Sequence, residues 1–181
     1  MGDPMSKRTE RRPNEARRAS ALQWLLSIAV AAAIVGLLIT LAVDERAIGS
    51  LQRGYASAAN SVLRLLGHPT QIAGNVVGTG DFGITVVTAC TGLFTTALYL
   101  VAVALFPTTW MRKLAGVGIG ICGIAILNII RLVSLYYVGV HWPAALDVVH
   151  QLVWQSLFIA FAIALWLLWA GRAAARRGAA R

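Results

Sequence analysis

Trp24 to Val43 is a run of about 20 residues with almost no polar side chain, long enough at 1.5 Å per residue to cross the roughly 30 Å hydrocarbon core of a bilayer. Three more apolar stretches follow, at about 92–106, 114–140 and 148–169. The pattern predicts an all-α membrane protein with about four transmembrane helices. A chain of 181 residues that is 58% hydrophobic and 13% charged is too apolar for a soluble domain. The first run exceeds the roughly 7 to 15 apolar residues of a signal-peptide core, so it reads as an uncleaved signal anchor.

The net charge of +9 does not indicate nucleic acid. Lys7, Arg8, Arg11, Arg12, Arg17 and Arg18 sit before the first span, Arg112 and Lys113 between the second and third, and Arg172, Arg176, Arg177 and Arg181 after the fourth. These are the short ends and connections, not a stripe on a folded surface, and no aromatic-basic recognition motif accompanies them. Four spans put all three segments on one side, and the excess of Lys and Arg makes that side the cytoplasm. The expected organisation is a basic cytoplasmic tail at 1–21, disordered over Met1 to Ser20, then an integral membrane domain at 22–170. A second basic cytoplasmic tail follows at 171–181. The loop at 44–89 and the short connection after Val140 then face outward.

That loop holds the only sizeable polar content. Ile48, Leu51, Tyr55, Ala58, Val62 and Leu66 recur at spacings of three and four, which predicts an amphipathic helix ending near Gly67 and Pro69, suited to lying on the membrane surface. Gln71 to Val77 and Phe82 to Thr88 are rich in β-forming residues and flank Gly78-Thr-Gly-Asp81, which predicts a hairpin. A lone hairpin is marginally stable, so this one is expected to lean on the helices.

The loop ends at Val87-Thr88-Ala89-Cys90-Thr91-Gly92-Leu93, with a cysteine where polar chain becomes apolar. A helix beginning there carries Cys90 at or next to its N-cap, where free backbone N–H groups and the helix dipole favour thiolate over thiol. Arg131, in Asn128-Ile-Ile-Arg131, stands inside the third span, and an arginine there costs at least about 2.5 to 3.5 kcal/mol on insertion scales, so it must face the bundle or a water-filled cleft. It lies about 13 Å below the end of an upright span. His150 opens the fourth span. Cys90, Arg131 and His150 therefore reach similar depth on the same side. Together they can support acyl transfer: the cysteine as nucleophile, the histidine as proton shuttle and the arginine as a fixed cation for the oxyanion. Asn128, one turn before Arg131, is placed to orient it; Asp147 stands in that relation to His150, and Trp154 is placed to wall the pocket.

Each residue also has a structural counterpart. Buried cysteine is commonly a small hydrophobe, and an intramembrane arginine can be the partner of a carboxylate. His141 and His68 sit beside turns and read as exposed, and Cys122 reads as packing, too deep for a disulfide with Cys90. Two Cys and three His show no paired ligand spacing, so no metal and no cofactor is expected. Gly116-Val-Gly118-Ile-Gly120 has no preceding strand and reads as helix packing, not as a phosphate loop.

Ala89-Cys90-Thr91-Gly92-Leu93, Asn128-Ile-Ile-Arg131 and His150 in order resemble the motifs of the exosortase/archaeosortase family of membrane transpeptidases, over about Gly74 to Trp169. The short chain looks most like the exosortase H type. Thr91 stands where the family usually has serine, and keeps the hydroxyl. The resemblance implies a cysteine protease and transpeptidase of the bacterial inner (cytoplasmic) membrane. Its substrates would be exported proteins with a C-terminal sorting signal: a short motif, an apolar helix and a basic cluster. Cys90 would be the nucleophile, Arg131 and His150 its partners, and a membrane-linked amine the acceptor, with hydrolysis by water an open alternative. Many members have eight spans, so self-association is a further expected partner. The competing expectation is a non-catalytic membrane assembly or transport subunit, in which Arg131 pairs with a partner helix and Cys90 only packs.

Overall fold

The structure is a computed structural model that describes residues 4–178, with side chains from 21 to 175. Helix α1 runs Pro4–Val43, α2 Glu45–Leu65, α3 Leu93–Leu105, α4 Trp110–His141, α5 Leu146–Val148 and α6 Trp154–Gly178. Between α2 and α3 lie strands β1 (Gln71–Ala73), β2 (Val76–Gly78) and β3 (Gly83–Thr85). The helical stretches 21–43, 110–141 and 143–175 are long and apolar enough to cross a membrane; Leu93–Leu105 is apolar but shorter. The first tail, expected to be disordered over Met1 to Ser20, is helical from Pro4 and continuous with the first span; the basic side chains of the two tails, Arg172 apart, lie outside the described residues.

Helices α1, α3, α4 and α6 pack as a bundle, α3 touching each of the other three. At one end Lys113 donates through Nζ to Ser27 Oγ at 3.1 Å and to the carbonyl oxygen of Ala104, tying α4 to α1 and α3. Trp169 Nε1 donates to Arg112 O at 3.1 Å, which brings in α6. Midway, Tyr99 Oη donates to Gly116 O at 3.1 Å. A Cβ on Gly116 would lie 2.6 Å from the Trp169 ring, and one on Gly120 would collide with Tyr99. Gly116 and Gly120 are therefore close-approach positions of α4, as their apolar setting suggests, while Gly118 meets open space. Tyr99, Leu100, Val103, Ile124, Phe158 and Trp169 form the core between these helices.

A second core sits above the first. Ala56, Ala59 and Leu63 of α2 meet Val77, Val86, Cys90, Leu132 and Tyr136. Asp44 caps α2, its carboxylate accepting from the backbone N–H groups of Arg46 and Ala47 at 2.8 and 2.9 Å, and Gly67 at φ +89° follows its end. The expected apolar stripe is displaced: Leu51 and Leu66 are exposed, and the buried face is Ile48, Ala56, Ala59, Asn60 and Leu63. Small residues win that face because they let α2 approach the sheet and α4 closely. One face of α2 is thus covered by its own chain, while Leu51, Leu65 and Leu66 stay exposed.

The sheet has three strands in the order β1-β2-β3, both pairs antiparallel. The expected first strand is split by a turn at Gly74, φ +65°, so one hairpin becomes a three-stranded meander. From Lys113 to Asn128 α4 rises roughly 22 Å, and from Asn128 to His141 it continues for roughly 20 Å more. One face of that upper portion, with Leu132 and Tyr136, packs against α2 and the sheet. Its extra length places Arg131 at the junction of the two cores.

Candidate active site

Cys90 does not cap α3. It lies in a 3-10 turn, Thr88–Thr91, and Gly92 follows as the N-cap of α3 with φ +68°. This left-handed residue turns the chain between the cysteine and the helix, a conformation that costs other residues roughly 1–2 kcal/mol. Four side chains hold the segment: Asn75 Nδ2 donates to Val86 O at 2.9 Å, Gln52 Nε2 to Thr88 Oγ1 at 3.3 Å, Thr91 Oγ1 to Thr88 O at 2.7 Å, and Asn128 Nδ2 to Cys90 O at 2.7 Å. Thr91 therefore serves the turn through its hydroxyl. Asn128 does not orient Arg131 as expected: its donor goes to the backbone of the cysteine, 38 positions earlier in the chain.

Asn128 is fully buried, and its Oδ1 has no hydrogen-bond partner. The Tyr55 phenol lies beside it; burial pushes that phenol above its ordinary value, and the Asn128 amide partly offsets the rise. Nothing in the spacing of α2 marked Tyr55 as a neighbour of the site.

Cys90, Arg131 and His150 converge. Cys90 Sγ lies 3.6 Å from His150 Nε2, and Arg131 Nη2 lies 2.8 Å from the same nitrogen. Cys90 and Arg131 are 4% and 5% exposed, so the contact is made away from bulk water. Arginine carries only donors, so Nε2 accepts from Arg131 and the ring hydrogen of a neutral His150 resides on Nδ1. The Arg131 head stands 5.3 Å from the centre of the Phe158 ring, close enough for cation–π attraction. Its Nε is buried without a partner, and no salt bridge to Arg131 occurs among the described residues.

His150 sits in a π-helical turn, Val149–Val153, between α5 and α6. Such single-turn expansions recur at functional sites and rotate a side chain relative to the helix that follows. Asp147 is exposed and makes no hydrogen bond to His150 among the described residues, so the expected orienting contact is not formed. Trp154 is buried against Phe158 in the lower core. Phe158, which the sequence reading did not single out, is the aromatic over which the Arg131 head stands.

The other candidates fall away from the trio. Cys122 is free and exposed on α4, and Cys90 is free, so no disulfide links them. His141 is exposed, whereas His68, expected to be exposed, is half-buried with Nε2 2.8 Å from Tyr137 Oη. No group of three metal-ligating side chains occurs among the described residues.

Residues 17–170 match the family model described as transmembrane exosortase. No curated protein and no solved structure matches the chain.

Proposed function

From a chain that belongs to the transmembrane exosortase family, we propose a membrane cysteine transpeptidase that cleaves C-terminal sorting signals of exported proteins and passes them to an amine acceptor. The observation that carries this reading is the meeting of Cys90 Sγ and Arg131 Nη2 on one nitrogen of His150, at 3.6 and 2.8 Å. Three chemically complementary side chains from separate elements converge at the junction of the two cores.

In this reading the thiol proton passes to His150 Nε2 and Sγ attacks the scissile carbonyl carbon. The carbonyl oxygen becomes an oxyanion and takes hydrogen bonds from Arg131, whose buried Nε–H is a donor with nothing yet to serve. Collapse breaks the C–N bond, the leaving amine takes the proton from His150, and a thioester remains on Cys90. An incoming amine gives its proton to His150 as it attacks the thioester, and the thiol is regenerated. Water in place of the amine makes the reaction a hydrolysis.

The four-span arrangement is part of the proposal. Leu93–Leu105 crosses with the help of its flanking residues, α2 and the sheet form an extracytoplasmic cap, and both termini are cytoplasmic. The site then lies at the outer ends of α1 and α3, where an exported protein's tail presents its motif. The scaffold alternative has Arg131 pairing with a partner helix. Against it, the Arg131 head is buried and already in contact with His150 and Phe158.

The test is processing of a substrate with a motif, apolar helix and basic cluster in cells carrying the wild-type chain or Cys90→Ala, Arg131→Ala or His150→Ala. Uncleaved substrate should accumulate with each variant at normal membrane levels. Normal processing by Cys90→Ala would remove the nucleophile and put the scaffold alternative first.

A further inference from the structure

Two groups compete for one lone pair in this site. Arg131 Nη2 is 2.8 Å from His150 Nε2, at full hydrogen-bond strength, while Cys90 Sγ reaches the same nitrogen at 3.6 Å. A neutral imidazole has a single acceptor nitrogen, and a guanidinium can only donate. As long as the Arg131 bond stands, Nε2 has no lone pair free to receive the thiol proton. We propose that Arg131 gates the nucleophile: it keeps Cys90 a thiol at rest, and the arrival of a substrate carbonyl draws the Arg131 donor away and frees His150 to act as base.

The geometry gives Arg131 somewhere to go. Its Nε is buried and unpartnered, it pairs with no carboxylate among the described residues, and the Phe158 ring at 5.3 Å is a face along which a guanidinium can slide without losing contact. The exchange balances: the Nη2–H···Nε2 hydrogen bond breaks and an Nη2–H···O=C bond to the substrate forms. The Sγ proton moves to Nε2 as the S–C bond is made. One residue thus silences the thiol in the resting enzyme and stabilises the oxyanion in the reacting one. A thiol that faces an oxidising compartment is then reactive only with substrate in place.

The inference rests on the Cys90–His150 pairing of the reading above, but its test needs no substrate, so the two fail separately. With Cys122→Ser as background, Cys90 is the sole thiol, and its rate of alkylation by iodoacetamide in membranes at neutral pH reports its thiolate. Arg131→Met keeps an unbranched chain without the donor and should raise the rate about 10- to 100-fold, the weight of one hydrogen bond to a charged group. Arg131→Lys opens comparable space but retains a donor, and should stay within about threefold of the parent, which separates lost donation from better access. An unchanged or lower rate in Arg131→Met would overturn the gate, since it would mean that Arg131 stabilises the thiolate at rest. Equal acceleration by Met and Lys would overturn it too, as an effect of space alone. Should Arg131→Met fail to accumulate, ¹⁵N spectra of histidine-labelled wild-type chain, assigned by loss of a signal in His150→Gln, decide the matter. An unprotonated, hydrogen-bond-accepting Nε2 whose signal stays in place in Cys90→Ala supports the gate, and a protonated Nε2, or one whose signal moves in Cys90→Ala, refutes it.

Discussion

Replacing Asn128 with leucine separates holding the Cys90 turn from holding the fold. Asn128 is fully buried, gives one N–H to Cys90 O at 2.7 Å, and leaves Oδ1 without a partner. Leucine has the same branched skeleton of heavy atoms and neither polar atom. Loss of the donor leaves a carbonyl without its bond, at a cost of roughly 1–3 kcal/mol, while removal of the unsatisfied Oδ1 relieves a penalty of the same order. The two terms oppose, so global stability should change by no more than about 1 kcal/mol, a shift of a few degrees in Tm for a chain of this size. Activity has no such compensation. Cys90 Sγ already meets His150 Nε2 at the long distance of 3.6 Å, and a further displacement of about 1 Å ends the contact, a change that can lower turnover roughly 100-fold. Paired measurements of thermal unfolding in detergent and of substrate processing should therefore show near-normal stability and a 10- to 100-fold slower reaction. Processing within about threefold of wild type, or activity lost only in proportion to folded protein, would refute the idea that Asn128 acts by positioning the Cys90 turn.

Gly92→Ala puts a Cβ on a residue at φ +68°, with Ile124 and Phe158 in ordinary contact at 3.4 Å, so backbone strain of about 1–2 kcal/mol is the main cost; thermal unfolding should fall by several degrees and processing should slow more than tenfold. Thr91→Val removes the hydroxyl that donates to Thr88 O at 2.7 Å, and should lower both processing and stability by an amount set by about 1 kcal/mol, whereas Thr91→Ser should be close to wild type in both assays. Gly116→Ala forces the Trp169 ring off its position and breaks its bond to Arg112 O; the expected loss of about 1–3 kcal/mol should appear as reduced thermal stability, while Gly118→Ala, which meets open space, should change little.

Much of this arrangement is legible in the sequence because apolar length is a strong signal. The cores of α1, α4 and α6 follow from uninterrupted hydrophobic runs, and α2 follows from its apolar residues at spacings of three and four and from Gly67 past its end. The trio is legible for a different reason. A cysteine at a polar-to-apolar join, an arginine amid isoleucines and a histidine at the head of a span are each out of place in lipid, and helix lengths bring them to one level. What escapes the sequence is decided by contacts between distant segments. The bond from Asn128 to Cys90 O spans 38 positions and competes with a local pairing to Arg131 that looks equally good on a helical wheel. Arg131 reads as deep in its span because the sequence of α4 gives no sign that its last turns build a second core with α2 and the sheet. The π-helical turn at His150 and the Phe158 ring beside Arg131 likewise leave no mark in local spacing.

The most direct test of the central claim is capture of the acyl intermediate. Wild-type chain, with Cys122→Ser to leave one thiol, is incubated with a tail-bearing substrate in the absence of added amine acceptor and resolved under denaturing, non-reducing conditions. A covalent adduct of enzyme and substrate that hydroxylamine releases, and that Cys90→Ala does not form, is the predicted result. Cleaved substrate with no such adduct at any time of sampling, or an adduct that persists in Cys90→Ala, would contradict a thioester on Cys90.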